Sequence, residues 1–386
     1  MKIALYISPA HTVPPNSQFI LAPWYLIGDI ANHLCCDPDF EVTLFASQGS
    51  RVRSKLYDFG IPATSLVKKD MAPPDYKKRV REAEEKLFTQ MIAVVKEESI
   101  DIVHIHQPIE PLYPLVSEAR KISPKTKFVF TLHDPVSPER AEALNKFVSL
   151  GQCYFISISL SQFKNSGLSA SATVYNGVDL NYFKFNPLGG DQFLTAGRIV
   201  PEKGYTDAIS AIKKVEGASL LITGQLFPSS PKSVDYFNSA ISPEVNGKTI
   251  FANLKIDPHF IREQYQKSKA YLFPIQWDEP FGLVMIEAMS CGTPVIAYNR
   301  GSVSEIVKDG ITGFIVEPQD YQKSKNWIIK KSGVAGLSEG IERILALNES
   351  DYLQMRADSR SHVAENFSTE KMVDSYKKAY EKVLQT

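Results

Sequence analysis

Short apolar segments alternate with longer amphipathic segments along almost the whole chain. The pattern predicts six strands in the first half of the chain, at Lys2–Ile7, Glu41–Ala46, Asp101–His106, Phe128–His133, Tyr154–Ser157 and Ala172–Tyr175. It predicts six more in the second half, at Phe193–Ala196, Ser219–Thr223, Thr249–Phe251, Ala270–Phe273, Pro294–Ala297 and Gly313–Val316. Helical patterns lie between them, for example at Arg79–Glu97, Tyr205–Val215 and Pro258–Lys269. Regular alternation of strand and helix predicts α/β domains with doubly wound parallel sheets.

The chain has 386 residues, which is more than one hydrophobic core usually supports, so two domains are expected. We place the boundary in the segment Phe185–Asp191, where Pro187, Gly189 and Gly190 interrupt regular structure. A second hydrophobic series starts at Phe193. The predicted domains are therefore residues 1–186 and residues 187–367.

A last helix is predicted for residues 368–386, with its regular part at Ser368–Leu384. Ser368 or Thr369 can cap it, and Glu370 lies in its first turn. Its apolar stripe consists of Met372, Val373, Tyr376, Ala379, Tyr380 and Val383. By contrast, the charged segment Lys68–Lys86 contains prolines and is expected to be a solvated loop that leads into a helix.

The charge balance argues against a nucleic-acid-binding protein. Lys and Arg together number 43, as do Asp and Glu, whereas a nucleic-acid binder usually has a basic excess. No run of eighteen apolar residues occurs, so no transmembrane segment is expected, although peripheral contact with a membrane stays open. The apolar start at Met1–Ile7 is too short for a signal-peptide core and predicts a first strand.

The four cysteines are Cys35, Cys36, Cys153 and Cys291, and none of them forms a C-x-x-C pair. With only seven histidines in the chain, this spacing indicates no zinc site. Few and scattered cysteines are typical of a reduced protein, so a cytoplasmic location is expected.

The densest group of chemically informative residues lies between Phe273 and Val316. A predicted strand ends at Phe273, a loop with Glu279 follows, and a helix starts around Phe281–Gly282. Ligands of doubly wound sheets bind beyond the carboxyl ends of the strands, where free N–H groups of a helix can hold a phosphate. Glu287 lies further along the same helix among apolar residues and can accept hydrogen bonds from a diol such as ribose. A carboxylate in such surroundings needs partners, which favours a binding role over a solvated position.

A second motif, Gly197–Gly204, follows the first predicted strand of the second domain. It places Arg198 and Lys203 on a loop between strand and helix. A diphosphate leaving group gains negative charge as its bond to a sugar breaks, and cationic side chains stabilise that charge. The alternative is an exposed basic loop, but the nearby carboxylate segment favours a phosphate site.

Together these motifs resemble those of the retaining family 4 glycosyltransferases, also called glycosyl transferases group 1. Glu279 and Glu287 match the family's E-x7-E motif, and Gly197–Gly204 matches its GR-x4-KG motif. The turn Asn176–Asp179 matches its NGVD element, and the stretches GSVSEIV and DGITGFIV are also similar to the family. The resemblance covers most of residues 172–317. It implies the GT-B fold, in which two Rossmann-like domains face a central cleft.

The resemblance also implies a role for each matching residue. The expected donor-binding residues are Arg198 and Lys203 for the diphosphate, Glu279 for sugar hydroxyls, the backbone of Phe281, Gly282 and Leu283 for phosphate or sugar, and Glu287 for ribose. The expected catalytic residues are Glu279, His133, Arg198 and Lys203. Residues 1–186 would form the acceptor-side domain and residues 187–367 the donor domain, with the last helix crossing back to the first domain.

The reaction that the resemblance implies is transfer of a hexose-type sugar with retention of configuration, without a metal ion or cofactor. Uridine diphosphate is the commonest nucleotide among similar proteins, so a UDP-sugar such as UDP-glucose is the expected donor. The sole D-x-D triplet, Asp37-Pro38-Asp39, lies at the amino end of a predicted strand and is expected to be a turn rather than a metal site. The acceptor stays open.

Three histidines of the first domain lie at or near the ends of predicted strands. His133 follows the strand that starts at Phe128, at a place where family members often carry a histidine near the donor sugar. His106 ends the preceding strand and could also reach the cleft, whereas His104 is expected to be a core residue. We expect His133 rather than His106 to act on the sugar.

The loop after the first strand departs from the family, which usually has a Gly-Gly pair there. No glycine precedes Gly28, so the side chains of Asn16, Ser17 or Gln18 would replace backbone contacts, or the loop would serve the acceptor alone. Two alternatives stay open: a sugar-nucleotide epimerase and a non-catalytic protein that binds a nucleotide or glycan. A dehydrogenase is disfavoured because no G-x-G-x-x-G motif follows the first strand of either predicted domain.

Overall fold

The computed structural model of the protein describes residues 1–15, 21–67, 73–164, 166–227, 230–254, 257–319 and 326–386. The chain divides into two compact units. Unit 1 comprises Met1–Asn176 and Thr369–Thr386, and unit 2 comprises Gly177–Ser368. Each unit contains one parallel sheet with helices between its strands. The expectation of two parallel-sheet α/β domains is therefore confirmed.

The sheet of unit 1 has the order β3-β2-β1-β4-β5-β6-β7, and all its strand pairs are parallel. Its strands are β1 Lys2–Tyr6, β2 Glu41–Phe45, β3 Lys55–Tyr57, β4 Ile102–Ile105, β5 Lys127–Thr131, β6 Cys153–Ser157 and β7 Ala172–Thr173. Its helices are α1 Ala22–Leu34, α2 Pro73–Glu97, α3 Tyr113–Ile122, α4 Pro138–Val148 and α12 Thr369–Gln385. Strand β4 is buried throughout, as expected of a central parallel strand with both faces covered.

The sheet of unit 2 has the order β10-β9-β8-β11-β12-β13 and is also parallel. Its strands are β8 Gln192–Arg198, β9 Leu220–Gln225, β10 Ile250–Asn253, β11 Ser268–Phe273, β12 Val295–Tyr298 and β13 Gly313–Val316. Its helices are α5 Tyr205–Ile212, α6 Pro231–Tyr236, α7 Pro258–Lys267, α8 Leu283–Ser290, α9 Val303–Ile306, α10 Gly333–Ala346 and α11 Glu349–Asn366. Among the residues that the structure describes, no helix is long and apolar enough to cross a membrane.

The strand order reverses once in each sheet, between β1 and β4 in unit 1 and between β8 and β11 in unit 2. Ligands of open α/β sheets bind at such a reversal, outside the carboxyl ends of the strands. In unit 2 these ends are Arg198 on β8 and Phe273 on β11. The two sequence motifs predicted to bind the donor therefore follow the two strands that flank the reversal.

Residues 177–191, which lead from unit 1 to the first strand of unit 2, pack within unit 2. The N–H of Val178 donates to the carbonyl of Phe367 at 3.0 Å, and that of Asn186 donates to the carbonyl of Cys291 at 3.1 Å. The buried guanidinium of Arg356 donates to the carbonyl of Asn186 at 2.8 Å. These contacts explain why the division between compact units falls at 176/177, whereas the sequence analysis placed a domain boundary at 186/187.

Two elements differ from the sequence-based expectation. Helix α2 starts at Pro73, earlier than the helical pattern predicted from Arg79, within the segment Lys68–Lys86 that we expected to be a loop leading into a helix. Proline is well tolerated in the first turn of a helix, where its missing N–H would have no intrahelical acceptor, so the prolines start this helix rather than break it. Strand β3 was not predicted, because it has three residues and lies at the sheet edge.

Candidate functional site

The loop between β8 and α5, Ile199–Gly204, holds Lys203 close to the loop that follows β11. Gly204 has a φ of 73°, and a Cβ on it would lie 1.8 Å from the carbonyl oxygen of Pro274. The backbone N–H of Gln276 donates to the carbonyl of Glu202 at 2.9 Å. Only glycine fits at position 204, since any side chain there would push the two loops apart.

The loop between β11 and α8, Pro274–Gly282, is held from its other side by the segment after β12. The backbone N–H of Ser302 donates to the carbonyl of Glu279 at 3.1 Å. Its hydroxyl donates to the carbonyl of Phe281 at 2.6 Å. Gly301 allows this approach, because a Cβ on it would lie 2.3 Å from the Glu279 carbonyl oxygen. The backbone around Glu279 is therefore fixed by neighbours on both sides.

Lys203 and Glu279 form an ion pair across these two loops. The Nζ of Lys203 lies 2.7 Å from Oε2 of Glu279, and each side chain is 14% exposed. The indole N–H of Trp277 donates to the same oxygen at 3.1 Å. The ammonium also lies 5.6 Å from the ring centre of Phe273. The structure thus brings together two of the predicted donor-site residues and leaves them partly accessible.

The amino end of α8 lies beside this ion pair. Gly282 precedes the helix with a φ of 83°, and a Cβ on it would lie 3.4 Å from Cγ of Glu279. The first N–H groups of a helix have no intrahelical acceptor and carry a partial positive charge. Phe281 and Gly282 are buried, and Leu283 is half-buried at the first position of the helix. This segment therefore places backbone N–H donors beside the ammonium group of Lys203, which is a second source of positive charge.

Glu287 lies one turn further along α8 and is half-buried. The hydroxyl of Tyr265 donates to its Oε2 at 3.0 Å. Burial raises the pKa of Glu287 to about 7, and the hydrogen bond from Tyr265 opposes this rise. One oxygen therefore has a protein partner, and the carboxylate can accept further hydrogen bonds from a ligand.

Arg198 occupies the end of β8, and its side chain is exposed. The pKa of Glu202 is lowered, mainly by a hydrogen bond from Lys232 and to a smaller degree by attraction to Arg198. Within the described part of the chain, no hydrogen bond or ion pair joins the guanidinium of Arg198 to Glu279. The structure thus joins Lys203 to Glu279 but leaves Arg198 at the solvent.

Three of the histidines of unit 1, His104, His106 and His133, form a line of ring contacts. The Nε2 of His133 lies 3.2 Å from Nδ1 of His106, and Nε2 of His106 lies 3.2 Å from Nδ1 of His104. His104 also contacts the hydroxyls of Tyr380, 2.7 Å from Nδ1, and Thr131, 2.8 Å from Nε2. His104 and His106 are fully buried, whereas His133 is half-buried. His106 therefore lies in the interior as His104 does, and His133 is the member of the line nearest the surface.

Burial lowers the pKa of all three histidines. The pKa values of His104 and His106 lie well below the ordinary value, and neighbouring histidines lower them further. The pKa of His133 falls to about 4. The three rings are therefore neutral at pH 7, so each has one N–H donor and one lone pair.

Two further predictions concern the loop after β1 and the D-x-D triplet. Asn16, Ser17 and Gln18 lie outside the described residues. In the Asp37-Pro38-Asp39 triplet, Oδ1 of Asp37 accepts from the N–H of Asp39 at 3.0 Å, as in a turn. Its other oxygen lies 2.7 Å from Nζ of Lys377 on α12.

The sequence analysis missed three residues that hold the site. Trp277 binds Glu279, Tyr265 binds Glu287, and Ser302 fixes the loop that carries Glu279. Trp277 and Ser302 lie within segments that we singled out, but Tyr265 lies on α7, a helix without a motif. Its hydrogen bond follows from packing between α7 and α8, which has no sequence signal.

Three comparisons relate the chain to known proteins. Residues 183–332 match a family model described as glycosyl transferases group 1. The chain is 25% identical over 344 residues to lipopolysaccharide 1,2-N-acetylglucosaminetransferase of Salmonella typhimurium, covering 82% of this chain and 85% of that protein. It is also 25% identical over 322 residues to N-acetyl-alpha-D-glucosaminyl L-malate synthase of Bacillus anthracis, covering 77% and 79%.

Solved structures share the fold. Sucrose-phosphate synthase from Thermosynechococcus elongatus superposes with a TM-score of 0.73 at 18% identity, over 100% of this chain and 99% of that one. HepE from Anabaena, solved in complex with UDP-glucose, gives a TM-score of 0.66 at 19% identity over 98% of each chain. The architecture is therefore that of the GT-B glycosyltransferases.

Proposed function

Since the chain belongs to the glycosyl transferases group 1 family and is a glycosyltransferase, we propose that it transfers a hexose-type sugar from a nucleotide diphosphate sugar with retention of configuration. The reaction needs no metal ion. One observation carries the proposal: the ion pair of Lys203 and Glu279, at 2.7 Å, lies at the amino end of α8 beyond the carboxyl ends of the strands. A cation, a sugar-binding carboxylate and free backbone donors are the groups that a sugar diphosphate requires.

The leaving group is stabilised by positive charge. As the bond between sugar and phosphate breaks, negative charge grows on the diphosphate oxygens, which Lys203 and the first N–H groups of α8 offset. Arg198 supplies a second cation from the end of β8. Lys203, the first N–H groups of α8 and the exposed side chain of Arg198 together then replace the positive charge that a metal ion would supply.

Glu279 holds hydroxyl groups of the donor sugar. Its Oε2 already accepts from Lys203 and Trp277, so the side chain stays in place before the donor binds. Its other oxygen can accept from the sugar. Such preorganisation lowers the cost of orienting the reacting carbon.

Glu287 binds the ribose of the nucleotide. Oxygens of a carboxylate can accept from both hydroxyls of a diol, and Tyr265 restricts the rotation of this one. UDP is the proposed nucleotide, and the structure of HepE in complex with UDP-glucose supports this choice. Starch synthase IV from Arabidopsis thaliana, bound to ADP in its structure, has the same fold at 14% identity, so adenine nucleotides belong in the test.

The configuration of the anomeric carbon is retained because the acceptor attacks the same face of the sugar from which the diphosphate departs. The acceptor hydroxyl oxygen bonds to the anomeric carbon while the bond from that carbon to the phosphate oxygen breaks. The acceptor proton passes to the departing phosphate, so no covalent enzyme intermediate forms. His133 is proposed to contact the donor sugar in this step.

The test is a panel of UDP-, ADP- and GDP-sugars in a thermal-shift assay. A true donor raises the melting temperature by mass action. Product analysis with the stabilising donor then separates the alternatives. A transferase hydrolyses the donor slowly or passes the sugar to an acceptor with the anomer retained, and EDTA leaves its rate unchanged. An epimerised sugar nucleotide, an unaltered donor after long incubation, or loss of activity on chelation would contradict the proposal.

A further inference from the structure

Asp207 lies in the first turn of α5, shortly after the glycine that ends the loop carrying Lys203. Its side chain is half-buried, and a carboxylate at the amino end of a helix is stabilised by the partial positive charge there. Among the described residues, no hydrogen bond or ion pair joins Asp207 to Lys203 or Glu279. Any influence of Asp207 on the ion pair through contacts therefore passes through other residues.

One carboxylate oxygen of Asp207 binds two donors. The hydroxyl of Tyr298 donates to Oδ2 at 2.7 Å, and the side-chain amide of Gln276 donates to the same oxygen at 3.1 Å. Tyr298 is the last residue of β12 and is buried, whereas Gln276 lies in the loop that follows β11. A single side chain on α5 thus holds the carboxyl ends of two neighbouring strands.

The contact with Gln276 fixes the start of the loop Pro274–Gly282. The side-chain amide of Gln276 also donates to the carbonyl of Pro274 at 2.8 Å. Its nitrogen would lie 3.1 Å from a Cβ on Gly204, so it occupies the space beside that glycine. The amide therefore packs between the two loops of the site, and Asp207 holds it in this position.

The contact with Tyr298 fixes the same loop from its other side. Tyr298 precedes Ser302 by four residues, and the N–H of Ser302 donates to the carbonyl of Glu279 at 3.1 Å. The end of β12 and the segment that follows it thus form one support for the backbone of Glu279. Asp207 is connected to the loop that carries Glu279 both through this support and through Gln276.

We infer that Asp207 is a positioning residue that holds the two loops at the spacing at which Lys203 and Glu279 form their ion pair. Without this carboxylate, two donors would lose their shared acceptor, and the side-chain link between the loops would be lost. The consequence for donor binding rests on the proposed function, whereas the consequence for the loops rests on the geometry alone.

The indole N–H of Trp277 reports the geometry of the loop without a ligand. It donates to Glu279 at 3.1 Å, and the chemical shift of its proton depends on that hydrogen bond. NMR of the full chain labelled with ¹⁵N-tryptophan gives one indole signal for each of the three tryptophans, and Trp277→Phe identifies the signal of Trp277. Asp207→Ala should move this signal. Asp207→Asn keeps an oxygen with two lone pairs, so its signal should lie close to that of the wild type.

Asp235→Ala is the matched control, because Asp235 is an exposed carboxylate on α6 of the same unit. Its variant should keep the wild-type signal of Trp277. Tyr298→Phe removes one of the two donors to Asp207 but keeps the ring, and it should also move the signal. This variant tests the inference even when Asp207→Ala does not fold.

The affinity for UDP, measured by calorimetry, tests the consequence for the donor site. Asp207→Ala should weaken UDP binding by about threefold to tenfold, the equivalent of one hydrogen bond, and Asp207→Asn should restore most of the affinity. Adding Lys203→Ala to Asp207→Ala should cost less affinity than Lys203→Ala costs alone, because the ammonium is already displaced. A residue that affects stability alone would give losses that multiply.

A Trp277 signal that stays in place in both Asp207→Ala and Tyr298→Phe would overturn the inference, and so would losses of UDP affinity that multiply. A signal that moves as expected, in a protein that binds none of the nucleotides in the panel, would contradict the proposed function but not the positioning. UDP binding that depends on Lys203 but not on Asp207 would contradict the positioning but not the function.

Discussion

The hydroxyl of Tyr265 on α7 donates to Oε2 of Glu287 on α8 at 3.0 Å, and burial keeps the pKa of that carboxyl at about 7. The donor nucleotide would therefore meet a carboxyl group that is about half ionised at neutral pH. Ionised oxygens accept hydrogen bonds more strongly than neutral ones, so proton loss from Glu287 should favour a ligand with two hydroxyls.

The affinity for UDP is expected to rise with pH between about pH 6 and pH 8, as Glu287 ionises. Calorimetric titration across this range measures the effect. Glu287→Gln should bind UDP more weakly and lose the pH dependence, whereas Glu342→Gln, on the exposed side of α10, should keep both. A pH dependence that persists in Glu287→Gln would assign it to another group.

The contribution of Glu287 to the free energy of unfolding should fall with pH, whereas the affinity for UDP should rise. Because the folded-state pKa of Glu287 is raised above its unfolded value of 4.5, the folded protein binds more protons between these values. This residue's contribution is therefore most favourable below pH 4.5 and is lost as the pH rises through about 7. The free energy of unfolding of the wild type, measured in urea, should fall relative to that of Glu287→Gln from pH 5 to pH 8. A constant difference between the two would contradict the raised pKa.

Glu279→Gln should lower kcat by about 10²–10³-fold, because the amide no longer offers a charged acceptor where the sugar is held in the transition state. The loss of charge also removes the partner of Lys203. Steady-state kinetics with the donor found by thermal shift measures the effect. Glu263→Gln on α7 changes an exposed carboxylate paired with Lys267 and is the control. Normal turnover in Glu279→Gln would remove this residue from the site.

Lys203→Ala should weaken UDP binding by about tenfold or more, since a charge-assisted hydrogen bond to phosphate contributes about 1.5–3 kcal/mol. Arg198→Ala should have a smaller effect, because its exposed side chain must become ordered on binding. Calorimetry with UDP and uridine separates phosphate contacts from base contacts. The control is Lys213→Ala, which removes an exposed lysine paired with Glu244. Unchanged UDP affinity in both site variants would contradict the phosphate role.

Gly204→Ala should disrupt the site through the backbone. The new Cβ would meet the Pro274 carbonyl oxygen at 1.8 Å, so the two loops must separate. Gly217→Ala is a stringent control, because Gly217 has a similar φ of 77° but open space around its Cβ position. The control should lose about 1–2 kcal/mol of stability from the left-handed backbone alone. Gly204→Ala should lose more and also bind UDP poorly, and equal losses would show that the loops do not need this contact.

Sequence reasoning anticipated the elements with strong periodicity. The alternation of strand and helix predicted twelve of the thirteen strands that the described residues form, and β13 was predicted at its observed bounds. The missed strand β3 has three residues, fewer than any periodicity argument can use. The convergence of Lys203 and Glu279 was predictable because both follow strands next to the reversal in strand order.

The contacts that carry the finer chemistry were not predictable. One hydrogen-bond partner of His104, Tyr380, lies 276 residues away, on a helix for which the sequence showed only an apolar stripe. In that stripe, Tyr376 and Tyr380 predicted burial, and nothing in the pattern showed that their hydroxyls would form hydrogen bonds with His104 and Thr131. The exposed position of Arg198 could not be predicted either, because a motif gives the order of residues along a loop but not the direction of their side chains.

Unit 1 is assembled from two stretches of chain with the whole of unit 2 between them. On the ribosome, its sheet can form long before Thr369–Gln385 has been synthesised, and until then His104 lacks its phenol partner. Closing so long a loop costs entropy that grows only slowly with length, so the delay is one of timing rather than of stability. A nascent chain must therefore be extended through the whole length of unit 2 before Tyr380 can contact His104.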